Sequence, residues 1–124
     1  MKASQRSLHD WLSDIEEMAS KVVAYTAGSN FEEFMANEPV RDLVIKKLEN
    51  MGEASRYIRT LYPGFQESEP ELPWRDLTAM RNRLTHGYFD YSPAVVWRIA
   101  VDEAPAILTQ VRHVIATRAG SPGE

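Results

Sequence analysis

Apolar residues recur at helical spacing along most of this chain, and that spacing limits the fold more than any other feature. In residues 7–26, 39–61 and 93–119 the apolar positions fall three and four apart, which places them on one face of an α-helix. No stretch alternates apolar and polar residues as a half-buried strand would. The sequence therefore predicts an all-α fold, an antiparallel bundle of four main helices plus one short helix. The predicted inward residues are Leu8, Trp11, Leu12, Ile15, Ala19 and Val22 in the first helix, Val40, Leu43, Val44, Leu48, Met51, Ser55 and Ile58 in the long helix, and Val96, Ile99, Ala100, Ile107, Val111 and Val114 in the last.

Capping residues mark the first three helices. Ser7 is a suitable N-cap, and Asp10 stands three residues later, where a capping box places its acid. Residues 28–30 end the first helix, and residues 31–35 predict one or two amphipathic turns. Pro39 suits the first position of the long helix, because its missing N–H has no partner there in any case.

Prolines shape the second half of the chain. Residues 62–73 hold three prolines, one glycine and three glutamates, which predicts an exposed loop. Ser92 followed by Pro93 predicts the start of the last helix. Pro105 inside that helix removes one backbone hydrogen bond and should bend it, and Gly120 should follow its end.

Length and composition indicate one small globular domain. The chain has 124 residues, of which 44% are hydrophobic and 26% charged, so we expect a single helical domain over residues 1–119 and a frayed tail at 120–124. No apolar run is long enough to span a bilayer and no secretory signal begins the chain, which favours a cytoplasmic location. The absence of cysteine excludes disulfides and thiolate metal sites, and no metal or cofactor is expected. The net charge of −4 argues against a broad basic surface for nucleic acid, so any RNA contact should be local or assembled across an oligomer.

Residues 74–91 combine a short predicted helix with a cluster of reactive side chains: Arg81, Asn82, Arg83, His86 and Tyr88. With Trp74 placed at 0° and about 100° per residue, the three apolar positions of the helix fall at roughly 240° to 300°, and Arg81 falls at roughly 340°. These apolar positions are Leu77, Met80 and Leu84. An arginine beside a packed stripe needs an anionic or hydrogen-bonding partner, since an unpaired buried charge is costly.

The end of this helix should carry a histidine. Asn82 and His86 are four residues apart, so they share a face if the helix reaches that far. Gly87 is a natural residue to follow a helix end, which would put His86 at the exit. A cation beside the core and an imidazole at a helix exit together indicate a functional site.

The spacing of Arg81, His86 and Tyr88 resembles the R-x4-H-x-Y signature of the HepT-like toxins, a branch of the HEPN superfamily of all-helical ribonucleases. The resemblance extends over roughly residues 48–111. It includes the G-E-A element at residues 52–54, the L-P-W sequence at 72–74, and the pairs V-W at 96–97 and A-P at 104–105.

The resemblance implies a metal-independent endoribonuclease toxin that acts as a homodimer, with RNA as its substrate. His86 and Arg81 would be catalytic. A histidine with an ordinary pKa near 6.5 can both accept and donate protons at neutral pH, and an arginine presents a planar fork to phosphate oxygens. Asn82, Arg83 and Glu53 would be supporting residues, and the two motifs would meet at a dimer cleft.

Tyr88 would be the control point. In the family that the chain resembles, a cognate minimal nucleotidyltransferase antitoxin transfers AMP groups to this tyrosine. AMP two positions from His86 would place bulk and negative charge where RNA must bind.

Simpler interpretations remain open for several of these residues. His86 could be a helix-end cation that interacts with the helix dipole, and Arg83 falls near 180° by helical arithmetic, which favours solvent exposure. Glu53 could form an ordinary surface pair with Arg56 three residues later. The competing hypothesis for the whole chain is a non-catalytic helical protein that binds a nucleotide or a nucleotidyltransferase, with Arg81 on a phosphate.

Overall fold

The computed structural model describes residues 5–79 and 92–118, and these residues confirm the predicted all-α class: they contain helices and no strand. In chain order the helices are α1 (Leu8–Thr26), α2 (Phe31–Ala36), α3 (Glu38–Leu61), α4 (Phe65–Ser68), α5 (residues 74–79 of the described part), α6 (Pro93–Arg98) and α7 (Ala104–Arg118). A π-helical segment, Ile99–Glu103, joins α6 to α7 without a break. No helix in the described residues is both long enough and apolar enough to cross a membrane.

The start of α1 is fixed by the predicted capping box. The Ser7 hydroxyl accepts a hydrogen bond from the Asp10 backbone N–H at 3.1 Å, and the Asp10 carboxylate accepts one from the Ser7 N–H at 3.0 Å. Two backbone donors that the helix cannot satisfy by itself are thereby paired. The backbone bond from Ser7 is the main reason why the pKa of Asp10 lies below its usual value.

The long helix α1 runs antiparallel to α3 and also packs against α7. Trp11 near the start of α1 stacks on Tyr57 near the end of α3, with ring centres 4.8 Å apart. Arg112 of α7 lies 3.4 Å from Glu16 of α1, so the last helix also packs along α1. The core between the three segments is almost entirely apolar: Leu12, Ile15, Val22, Val44, Leu48, Met51, Ile58 and Val111 are each at most 1% exposed.

The inward face of α3 was predicted correctly except at Leu43. Leu43 is 44% exposed, whereas Val44 and Leu48 are completely buried. With Val44 at 0°, Leu43 falls at roughly 260°, at the edge of the buried stripe.

The prediction of an exposed loop at residues 62–73 was wrong in part. Residues 65–68 form the four-residue helix α4, and Phe65 and Leu72 are buried in the core. Within residues 5–79, α4 is therefore a short helix in addition to α2, the short helix that was predicted. Polar and proline-rich composition hides such an element, because Phe65 and Leu72 are packed by other parts of the chain and follow no local pattern.

Pro105 stands just after the π-helical segment in the last helix. In a regular α-helix its ring would clash with the carbonyl group four residues earlier, and its own N–H is missing. The widened turn avoids this conflict, and the Ala104 N–H donates to the Ile99 carbonyl oxygen five residues back. The sequence predicts a lost hydrogen bond and a bend at Pro105, and the structure shows a π-helical segment immediately before it.

Candidate functional site

The motif residues themselves lie outside the described residues. They are Arg81, Asn82, Arg83, His86 and Tyr88, together with Met80 and Leu84 of the predicted apolar stripe. The structure describes the protein on both sides of them, from the helix that leads into the motif to the helix that follows it. Glu53, the remaining predicted site residue, is described.

The entry to the motif is anchored in the core through Trp74. This residue is 9% exposed, its indole N–H donates to the Glu69 carbonyl oxygen at 2.8 Å, and its ring meets Phe65 edge-on at 5.9 Å. Leu77, one turn later, is 1% exposed. The predicted inward stripe of this helix is therefore confirmed as far as Leu77. It fixes which face of α5 points to the core.

The exit from the motif leads directly into α6. Ser92 occupies the predicted N-cap position with Pro93 as the first helical residue, although the Ser92 hydroxyl makes no capping hydrogen bond. Half-buried Trp97 packs against two aromatic rings of α2, with ring centres 5.1 Å from Phe34 and 6.5 Å from Phe31. The motif is thus bracketed by two tryptophans that are both packed against other helices.

Glu53 lies in the middle of α3 and pairs with Arg56, and this pair is compatible with both interpretations that the sequence left open. One Glu53 carboxylate oxygen accepts hydrogen bonds from Arg56 Nη2 at 2.6 Å and from Arg56 Nε at 3.1 Å. This pairing is the main reason why the pKa of Arg56 is raised. The Arg56 guanidinium also covers the Tyr57 ring at 4.5 Å, so it is held by a carboxylate and an aromatic face together.

Glu53 also lines a hollow between α1 and α3 that sequence reasoning did not identify. The hollow measures about 310 Å³ and is lined by Trp11, Asp14, Glu17, Met18, Asn50, Glu53 and Ala54. Each of its three carboxylates has a cationic partner. Asp14 lies 2.6 Å from Arg6, and Glu17 lies 3.0 Å from Lys21. Only the pairing of α1 with α3 brings these acids together, so no local signal could have found them.

A second group of acids comprises Asp76 of α5 and two residues of the π-helical segment, Asp102 and Glu103. The pKa of Glu103 is raised, chiefly by burial and further by the nearby charges of Asp76 and Asp102. Arg98, 3.5 Å from Glu103, opposes this shift. Asp76 is on α5, so the helix that leads into the motif and the π-helical segment are close enough for their charges to interact.

A comparison with known protein families decides to which family this chain belongs. The family model described as ribonuclease HepT-like matches residues 15–114, which include most of the described bundle and the motif segment. The chain belongs to the HepT-like ribonuclease family. The resemblance inferred from the R-x4-H-x-Y spacing is therefore confirmed.

Relatives of this HepT-like chain come from archaea and bacteria. A Methanocaldococcus jannaschii protein named as a candidate RNase is 37% identical over 111 residues, which cover 90% of this chain and 99% of that protein. A Thermococcus cleftensis protein named a probable ribonuclease HepT is 34% identical over 103 residues, which cover 83% of this chain and 91% of the other. A candidate RNase of Caldanaerobacter subterraneus is 27% identical over 115 residues, 93% of this chain and 96% of that protein. No solved structure gives a significant match.

Proposed function

We propose that this HepT-like chain is a metal-independent endoribonuclease, with Arg81 and His86 as its catalytic residues. The observation that carries the proposal is the family match across residues 15–114, within which Arg81, His86 and Tyr88 stand in the order and spacing of the family motif. The names of the relatives, which describe RNases, support the same activity.

The proposed chemistry is transfer of a phosphodiester to the neighbouring ribose hydroxyl. His86 accepts the proton of the 2′-hydroxyl, whose oxygen then attacks the phosphorus. The bond from phosphorus to the 5′-oxygen breaks, and an imidazolium, His86 or its copy in a partner, protonates that oxygen. Arg81 stabilises the charge that gathers on the phosphate oxygens, for which its planar fork is well suited. The products are a 2′,3′-cyclic phosphate and a 5′-hydroxyl.

Three further residues are proposed to support this centre. Asn82 would orient the imidazole or the substrate through its amide, and Arg83 would add positive charge for the RNA backbone. Glu53 would support the site from α3, where its carboxylate accepts two hydrogen bonds from Arg56. Charge-assisted bonds of this kind keep a side chain in one orientation.

The proposed assembly is a homodimer in the cytoplasm, with the two motifs facing each other across a cleft. The net charge of −4 supports it, because duplicated arginines would make a local positive site on an acidic protein. The toxin would be neutralised by a cognate minimal nucleotidyltransferase antitoxin that transfers AMP from ATP to the Tyr88 hydroxyl. The bond formed joins the tyrosine oxygen to the α-phosphorus, and pyrophosphate leaves.

Alanine variants with matched controls test the catalytic assignment. His86→Ala and Arg81→Ala should each reduce RNA cleavage by roughly 100-fold or more, since a positioned acid–base group supplies about that factor. The controls His113→Ala and Arg59→Ala remove the same side-chain types from exposed positions of α7 and α3 and should cleave like the parent. If His86→Ala cleaves like the parent, the catalytic assignment is wrong, and the alternative of a non-catalytic binding protein is favoured.

Intact mass tests the proposed control. Incubation of the parent with a cognate nucleotidyltransferase and ATP should add mass in AMP-sized increments and stop cleavage. Tyr88→Phe keeps the ring but loses the acceptor oxygen, so it should gain no mass and remain active. Modification of Tyr88→Phe would show that another residue is the acceptor. Neutralisation of the parent without any gain in mass would indicate control by complex formation.

A further inference from the structure

The short helix α4 cannot be stable by itself. Four residues are far fewer than an isolated helix needs in water, so α4 must be held by other parts of the protein. Gly64 makes its first turn possible, with φ of 90° in the left-handed region that favours glycine. The contacts that hold α4 therefore show what it connects.

The first connection runs from α4 to α3 through Gln66. The Gln66 side-chain amide donates to the Ser55 carbonyl oxygen at 2.9 Å and lies 3.5 Å from the Ser55 hydroxyl. Ser55 is completely buried in the middle of α3, two residues from Glu53. A hydrogen bond to a buried, rigid carbonyl group helps to fix half-buried Gln66, and with it α4, on α3, because that carbonyl group cannot turn to water instead.

The second connection runs from α4 to α5 and α7 through Phe65. Its ring meets Trp74 of α5 edge-on at 5.9 Å, and the Arg118 guanidinium of α7 lies 4.9 Å from its centre. The residue that follows α4, Glu69, supplies the carbonyl oxygen for the Trp74 indole N–H. Three helices thus converge on four residues, and α5 is held at its first turn by both a ring contact and a hydrogen bond.

We propose that α4 is a clamp that sets the rotation of α5 about its own axis, and that Gln66 is a positioning residue for the RNA cleavage proposed above. On the helix that the sequence predicts through Arg81, Trp74 and Arg81 would be about two turns and roughly 20° apart, so the orientation of Trp74 would set that of Arg81. A rotation of roughly 10° moves the end of a helical side chain by about 1 Å. A displacement of that size can cost about 100-fold in rate.

Gln66→Ala tests the clamp, with Gln66→Glu as its isosteric companion. The alanine variant loses the donor, and the glutamate variant keeps the length but presents a carboxylate, which cannot donate to the Ser55 carbonyl at neutral pH. Both variants should lower kcat by roughly 10- to 100-fold with KM changed less than about threefold, because substrate binding is kept while the geometry is lost. Thr60→Ala is the matched control. It also removes one side-chain-to-backbone bond on α3, from the Thr60 hydroxyl to the Arg56 carbonyl at 3.1 Å, but that bond joins no two helices, so kcat should not change.

Hydrogen exchange gives a readout that does not depend on activity. In Gln66→Ala, the amides of residues 74–79 should exchange on the order of 5-fold faster than in the parent, whereas those in the middle of α1 should not change. Faster exchange in α1 and α5 alike would mean a general loss of stability and would overturn the clamp, as would unchanged kcat or unchanged exchange in α5. If the parent does not cleave RNA, the proposed function fails, and the exchange comparison alone decides whether α4 holds α5.

Discussion

Two buried tryptophans allow the effect of the same substitution, tryptophan to phenylalanine, to be compared at two positions. Trp11 and Trp74 are 7% and 9% exposed, so replacing either by phenylalanine removes about the same buried surface. Their indole N–H groups differ. That of Trp74 donates to Glu69, whereas that of Trp11 is buried and finds no acceptor within residues 5–79 and 92–118. The difference between Trp11→Phe and Trp74→Phe therefore reports mainly the contribution of the N–H group.

The magnitude follows from the contacts. In each variant the smaller ring removes roughly 40 Å² of buried apolar surface, worth about 1 kcal/mol, and this amount cancels in the comparison. Trp74→Phe also loses a hydrogen bond of about 1 kcal/mol. Trp11→Phe instead relieves an unpaired donor that costs about 1–3 kcal/mol. It gives back about 0.5 kcal/mol because Arg6, 4.2 Å above the ring, interacts less strongly with phenyl than with indole. Trp74→Phe should therefore be less stable than Trp11→Phe by about 2 kcal/mol.

Urea unfolding followed by far-ultraviolet circular dichroism measures this difference. Parent and variants should be compared at one protein concentration, because assembly would make stability depend on concentration. Equal losses in the two variants would refute the reasoning. The Trp11 N–H would then have an acceptor in solution, such as an enclosed water molecule.

Three further predictions concern the same measurement. Ser7→Ala removes the N-cap of α1 and should cost about 1 kcal/mol of unfolding free energy. Leu48→Ala should lower the free energy of unfolding by about 3 kcal/mol, and Leu43→Ala by less than about 0.5 kcal/mol, because Leu48 is fully buried and Leu43 is 44% exposed. Similar losses in the two variants would place Leu43 in an interface. Glu103→Gln should raise stability at neutral pH by about 0.5 kcal/mol, since the raised pKa of Glu103 in the folded protein means that its ionisation opposes folding. That gain should disappear as the pH falls through the raised pKa to the ordinary glutamate value, and a gain that is independent of pH would contradict the assignment.

The parts of the fold that were predicted correctly are those whose signals are local. The Ser7 and Asp10 capping box, the short helix after residues 28–30 and the start of α6 at Pro93 each depend on a few neighbouring residues, and the structure reproduces them. The long inward stripes also follow from spacing alone. A helix of ordinary geometry must place residues three and four apart on one face.

The parts that were missed depend on contacts between distant segments. Phe65 is buried because Trp74 and the end of α7 surround it, which no pattern in residues 62–73 reveals. Leu43 is apolar but lies at the edge of its stripe, where exposure depends on contacts with other helices and not on spacing alone. The hollow beside Glu53 arises only when α1 and α3 pair.

The site shows the same division. The identity and spacing of Arg81, His86 and Tyr88 were sufficient to indicate the family, which the match over residues 15–114 confirms. The role of Glu53 could not be chosen from sequence, because an acid three residues before an arginine on a helix forms a surface pair in many proteins. The structure shows that pair, and the catalytic roles of the motif residues remain predictions.

Cleavage of RNA in the presence of EDTA tests the central proposal most directly. The purified chain should cleave single-stranded RNA at neutral pH with EDTA present, and mass spectrometry should find 2′,3′-cyclic phosphate on the upstream fragments and 5′-hydroxyl groups on the downstream ones. These ends follow if the ribose hydroxyl is the nucleophile and His86 moves the protons. Cleavage that stops with EDTA and returns with a divalent metal ion, or fragments with 3′-hydroxyl and 5′-phosphate ends, would contradict it.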